Sequence, residues 1–561
     1  MPDLTLYTLM SEHPHDGASA QHRSAPQGFL NRAKATGRLV LNHVVKHTGV
    51  GIVCSVAYFD PGNWGVDLQA GSQYGYKLLF VVLLAGLFAV VLQILASRLG
   101  CVTGVDLASH CRLLLHSRPK HKLLYRWLGL YPLYALSEVA IVATDLSELL
   151  GSAIALCLLF PKLQLWHGVL VTAADVVLIL AFRDPLRGRP VRMFEILIGI
   201  LVLAVLVCMA LIISKIQVDW GKAFVGFVPS KYVFAPGALY TSVGILGATV
   251  MPHSLFLGSA LATQDRISPA LKSEYQLSPT GSSKSSSETT LFRAPLPRYQ
   301  RVIHAIKDFL VAPFRTPPPS AYSARAQRYD ERENNVFDFV RAHIYHGMVD
   351  MVVSLLGFAV MINALILILA SAVFYYGSGS NPSTNPASLF DAYDLVKEKI
   401  GQGAATLFAI ALLAAGQSSS LIATVAGQAV SEGFLNWRVS PALRRILTRL
   451  LAVIPSMTVA IVMGRSGIDT LLVASQVVLS VTLPFIVLPL VYLTSSKSMM
   501  SVRKPRLVSS LSDESTVEEA DDEIVDFSSG WILTGVGIVI WLVIVAANVY
   551  VLIDLAMGQG G

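Results

Sequence analysis

Apolar residues fall along this chain in long runs separated by short polar stretches. About 20 residues suffice to cross the hydrocarbon of a bilayer as a helix, and runs of that order recur at 43-74, 78-99, 127-157, 166-182, 193-214, 236-263, 345-376, 402-430, 446-464, 469-494 and 530-557. The pattern predicts an all-α integral membrane protein of about 11 helices. Two of the runs are interrupted. In the first, Asp60-Pro61-Gly62-Asn63 stands where a spanning helix should be most apolar, and in the sixth Met251-Pro252-His253 does the same. Each proline lacks a backbone N–H, so carbonyls near Ala57 and Ala248 lose their helical partners. In hydrocarbon an unsatisfied group costs several kcal/mol unless a cavity or an ion satisfies it. One broken helix opening each half of a ten-helix core is the arrangement of transporters built from two inverted five-helix repeats. The repeats are expected at 43-214 and 236-494, with helix 11 in 529-561.

The segments between runs are polar. Residues 1-42 lack periodicity and are read as a disordered cytosolic tail. The insert 264-338 holds "SPTGSSKSSSETT" and one amphipathic stretch, and 495-528 turns from basic to acidic; both are expected to be cytosolic loops, the second flexible. No secretory signal peptide is visible in the first 40 residues, so the first span is expected to serve as its own insertion signal.

Composition sharpens this picture. The chain of 561 residues is 53% hydrophobic and 14% charged, with a mean hydropathy of +0.58. Its net charge of +7 could suggest nucleic acid, but 35 of the 43 Lys and Arg fall in segments that alternate on the side of the N-terminus. That bias predicts a cytosolic N-terminus and accounts for the basic balance without nucleic acid. The five cysteines lie in or beside the runs without a CxxC and are read as packing residues.

The breaks carry the candidate chemistry. Asp60 supplies a carboxylate, Asn63 an amide oxygen and Met251 a thioether; hard and soft donors together suit a divalent transition metal. In the third run Glu138, Asp145 and Glu148 are spaced 7 and 3 apart, one broad helical face at about 100° per residue. Three carboxylates on a membrane helix should line an interior path, with protons as the candidate cargo. An imidazole free in water titrates near neutrality, which makes His253 a candidate to pass protons between that path and Asp60. Arg449 is either a carboxylate partner or an interfacial anchor. No P-loop, HExxH or nucleophile motif indicates an enzyme.

"YFDPGNWGVDLQAGSQYGY", "GATVMPHSLFLGS", "SEVAIVATDLSELLGSA" and "GQSSSLIATVAGQAVSEGF" together closely resemble the NRAMP family of proton-coupled divalent-metal transporters, over about 45-265 and 340-495. The resemblance implies a LeuT-like fold and import of manganese or ferrous iron with protons, with no permanently bound cofactor. It also implies a monomer in the plasma membrane or an endosomal or vacuolar membrane. It assigns Asp60, Asn63, Met251 and the carbonyls of Ala57 and Ala248 to the metal, and adds Gln476, where some members carry a metal-facing amide. The acids Glu138, Asp145 and Glu148, with His253 and the arginine after "LT", Arg449, match the family's proton pathway. The chain departs from the common pattern at Gly65, Ser431 and Thr482. A sodium-coupled organic-solute carrier of the same architecture and a metal receptor without transport are the alternatives; a carboxylate at the break argues against an anionic substrate.

Overall fold

The computed structural model describes residues 49–116, 118, 120–173, 186, 192–235, 237–266, 332–377, 388–436, 440–504 and 523–557. The expected tail 1-42 and most of the insert 264-338 lie outside them. The first run is split into α1 (Val50–Val56) and α2 (Pro61–Tyr74). Gly75, at a φ of 60° that glycine adopts readily, turns the chain through one 3-10 turn into α3 (Leu79–Thr103). There follow α4 (Leu107–His116), α5 (Tyr131–Leu159), α6 (Leu165–Ala173), α7 (Arg192–Ile213) and the short α8 (Trp220–Gly226). The sixth run is split into α9 (Ala238–Thr249) and α10 (Pro252–Leu261). Then come α11 (Phe337–Ser354), a π turn, α12 (Met361–Ala370), α13 (Leu389–Lys399), α14 (Gln402–Leu435), α15 (Pro441–Val462), α16 (Gly464–Ser495) and α17 (Trp531–Ala556).

Every expected run therefore carries a helix. Among the described residues eight helices are long and apolar enough to cross a membrane, the first of them, Pro61–Thr103, holding the second half of the first expected span and the whole of the second. The apolar part of the ninth span is shorter, Ile446–Val462. The fourth, α6, ends at the edge of the described residues. All five cysteines are free thiols.

The two breaks are built alike. Asp60 and Met251 are the N-cap residues of α2 and α10, and a proline occupies the first turn of each helix, the place where its missing N–H costs least. Around them α2 packs on α9, α12 and α16, whereas α5 packs on α14, α15 and α16. Small residues make the crossings close: Gly151 and Gly416 both lie against Pro61. A Cβ added at Gly100 on α3 would run into the backbone carbonyl of Ser259 on α10. Backbone cannot move aside as a side chain can, so Gly100→Ala should destabilise the protein by about 1–3 kcal/mol, read as a lower midpoint of thermal unfolding in detergent.

The described ends of the 495-528 segment, 495–504 and 523–528, are more ordered than the flexible loop that composition suggested. Strand β1 (Ser501–Lys504) pairs antiparallel with β2 (Glu523–Asp526), Ser501 facing Asp526 and Lys504 facing Glu523. Residues from elsewhere pin its base: the Arg98 guanidinium donates to the Phe527 carbonyl at 2.8 Å, and the Asn334 amide to Ser501 O at 2.6 Å. Those partners are distant in sequence, which is why local polarity read as loop.

Candidate functional site

The carbonyls of Ala57 and Ala248 each precede a proline by four residues, so neither has the helical donor it would otherwise receive. Asn63 joins the two breaks. Its Nδ2 donates to Asp60 Oδ1 at 2.7 Å and to Ala248 O at 3.0 Å, so oxygens from both interrupted helices converge on one point. Asp60 also caps α2, accepting from the Asn63 backbone N–H at 2.9 Å, and its Oδ2 accepts from the Ser147 hydroxyl of α5 at 3.0 Å. Asn63 Oδ1 accepts from the Asn363 amide of α12 at 3.3 Å, and the same amide donates to the Tyr58 carbonyl at 2.7 Å. Half a turn of the Asn63 amide would present its oxygen, instead of its N–H groups, to the point shared by Asp60 and Ala248.

Gln476 stands where α16 crosses both breaks. Its side-chain amide presses on Gly62 and its backbone carbonyl on Gly247, approaches only glycine permits, and its Nε2 donates to Ser475 Oγ at 3.1 Å. Met251 is buried three residues after Ala248, where it begins α10. Asp60, Asn63, Met251 and Gln476 are each at most 1% exposed, so the site is shut from both ends of the bundle. Among the described residues no group of three or more His, Cys, Asp or Glu is placed to hold a metal. A single carboxylate with amide, thioether and carbonyl donors is a weaker cradle than a structural metal centre.

The α5 acids each meet a different partner. Glu138 pairs with Arg444 at 2.7 Å near one end of the bundle, partly open to solvent. Asp145 pairs with Arg449 at 2.9 Å, and both are nearly fully buried; the contact is an ion pair rather than a directed hydrogen bond. Arg449 is thus a carboxylate partner, and it also donates to Ser420. Glu148 Oε1 accepts from Ser419 at 2.6 Å. His253 Nδ1 bonds Thr144 Oγ1 at 3.3 Å, and its Nε2 has no hydrogen-bond partner among the described residues. His253 therefore reaches α5 one turn from Ser147, the residue that holds Asp60, and no direct bond joins it to Asp60.

Sequence reasoning missed Ser147, Thr144, Asn363, Ser419, Ser420 and Arg444. The small-residue stretch of α14 read as packing only; it does pack, through Gly416 against Ser152 and Pro61, and its serines also bond the acid and the base. Polar residues facing inward on otherwise apolar helices were the available signal. Of the three departures, Thr482 donates to the Leu479 carbonyl of its own helix at 2.8 Å and Gly65 lies against Leu472, while Ser431 sits near the end of α14.

A bundle of spanning helices with a polar, enclosed site at two matched helix breaks defines a multi-pass membrane protein of the transporter class. Residues 51–281 and 321–512 match the family described as natural resistance-associated macrophage protein-like, Nramp, and the chain belongs to that family. It is 39% identical over 515 residues to the manganese transporter pdt1 of Schizosaccharomyces pombe, covering 91% of this chain and 86% of that one. With the iron transporter SMF3 of Saccharomyces cerevisiae it shares 37% identity over 532 residues, 92% and 98% of the two chains. A crystal structure of the Eremococcus coleocola manganese transporter, in complex with an aromatic bis-isothiourea substituted compound, superposes with a TM-score of 0.64 at 27% identity, covering 92% of this chain and 87% of that one. The fold is that of the Eremococcus coleocola manganese transporter, matched over 92% of this chain.

Proposed function

We propose that the protein is a secondary active transporter that imports divalent transition-metal ions, manganese or ferrous iron, into the cytosol together with protons. The observation that carries this reading is the convergence of Asp60 Oδ1 and Ala248 O on one point through Asn63, with Met251 at the N-cap position of the second break. The relatives named for manganese and iron support the choice of ion. In this reading Asp60, Asn63, Met251, Gln476 and the carbonyls of Ala57 and Ala248 hold the ion, and the repeats 43-214 and 236-494 rock against each other to open the site to one side at a time.

With the N-terminus cytosolic, a divalent ion moving inward down 100 mV gains about 4.6 kcal/mol, twice the value for one charge. Protons take the α5 route. Ser147 links it to Asp60, Thr144 links it to His253, and Glu148, Asp145 with Arg449, and Glu138 with Arg444 continue it to the cytosolic end. Metal-dependent proton flux in proteoliposomes tests the coupling, with manganese, iron, magnesium and amino acids run in parallel; uptake of amino acids but not manganese would overturn the assignment.

Met251 sets selectivity, because a thioether binds borderline transition metals and contributes little to a hard ion. Met251→Ala should narrow the preference for manganese over calcium by about tenfold while retaining some manganese uptake. Competition of calcium against manganese uptake reads this directly, and an unchanged ratio would sink the soft-ligand argument.

A further inference from the structure

A cavity of about 430 Å³ opens at one end of the bundle, between α5, α14 and α15, away from the helix breaks. Its lining is divided by depth. Tyr134 and Glu138 come from α5, Gln428 and Glu432 from the last turns of α14, and Arg444 and Thr448 from the first turns of α15, so the polar groups of α14 and α15 gather at the helix ends. Deeper along α15 the wall is Leu447, Leu450, Leu451 and Ile454, spaced i, i+3, i+4 and i+7 on one helical face. These four are 48%, 51%, 58% and 64% exposed, so in a bilayer the cleft faces hydrocarbon sideways. Head-group chemistry at helix-end depth above an apolar slot is the shape of a lipid, and a hydrocarbon-facing cleft fills from the bilayer.

The charges name the kind of lipid. Arg444, paired with Glu138 at 2.7 Å, presents the planar donor fork that suits a phosphate. Glu138 and Glu432 bring carboxylates into the same lining, Glu432 accepting from Gln428 at 2.9 Å. Among the described lining residues two carboxylates stand against one guanidinium, a balance that disfavours a purely anionic head group and complements one that carries an ammonium beside its phosphate. A primary ammonium donates hydrogen bonds to them, whereas a trimethylated one has none to give.

We propose that this cleft binds one zwitterionic phospholipid with a primary-amine head group, its phosphate on Arg444, its ammonium at Glu138 and Glu432, and one acyl chain along the α15 leucines. An adjoining cavity of about 10 Å³, the room of one water, shares Gln428, Arg444 and Thr448 and reaches Asp145. The head group is thereby one water-sized space from Asp145.

The test uses the full-length protein in detergent, titrated with phosphatidylethanolamine, phosphatidylcholine and phosphatidylglycerol and read by native mass spectrometry. Phosphatidylethanolamine should bind about tenfold more tightly than either competitor, the factor expected of one or two charge-assisted hydrogen bonds. Leu450→Trp and Leu451→Trp, which fill the slot from its lipid side without touching the polar groups, should lose that adduct while keeping the wild-type unfolding midpoint. Equal binding of the three lipids would overturn the proposal, and this comparison needs no variant. So would an undiminished phosphatidylethanolamine adduct in well-folded tryptophan variants.

Discussion

Asp60→Ala is expected to reduce manganese uptake by at least about a hundredfold, at or beyond the upper end of losses seen when groups supporting a metal site are removed. Two roles of Asp60 would be lost together, since its carboxylate both caps α2 and faces the convergence point. Removing the cap alone costs about 1 kcal/mol and leaves the fold in place, because α2 is buried along most of its length. Asp60→Asn separates the roles: an asparagine still caps the helix but carries no charge for the ion. Uptake and metal binding should be lost in both variants, with the unfolding midpoint lowered mainly in the alanine one. Uptake that survives in Asp60→Asn would mean that the carboxylate is structural and the ion lies elsewhere.

Arg449→Ala should be the most destabilising single change along the proposed proton route. The guanidinium faces Asp145 at 2.9 Å, with side-chain exposures of 4% and 3%. Truncating one member of such a pair strands the other charge in a medium that solvates it poorly, typically about 3–5 kcal/mol. The same physics predicts rescue: Asp145→Asn in the Arg449→Ala background removes the stranded charge and should recover much of the loss. Thermal unfolding of the two single variants and the double one gives the coupling, and additive losses would show that the pair does not act as a unit. Proton flux should fail in the double variant even where stability returns, since neither group that could carry the charge remains.

Much of this architecture was legible before any coordinate was known. Hydrocarbon thickness sets run length, so the eleven runs mapped onto helices. Pro61 and Pro252 remove donors as a matter of covalent structure, so the breaks and the carbonyls they free at Ala57 and Ala248 followed from two residues. The acids of α5 were legible as a face, but their partners were not. Period 3.6 says that Glu138, Asp145 and Glu148 look the same way; it says nothing about which residue of α14 or α15 stands opposite. Arg444, rather than a nearer arginine, meets Glu138, and Ser419 meets Glu148. Asn363 was hidden for a similar reason, being one polar residue in an apolar run whose meaning appears only when α12 lies beside the first break.

What the sequence determined by itself is local and energetic: where the chain must be helical in a membrane, where the helix cannot continue, and which donor atoms the interruptions hold. The tertiary structure decided what meets what. It set the register between helices that brings Ala248 to Asn63 and Arg449 to Asp145, the glycine contacts that seat Gln476 across both breaks, and the long-range bonds that order the β1–β2 pair. Backbone hydrogen bonding and burial are settled within a few turns of one helix. The choice among facing side chains depends on the packing of whole helices, to which residues hundreds of positions apart contribute at once.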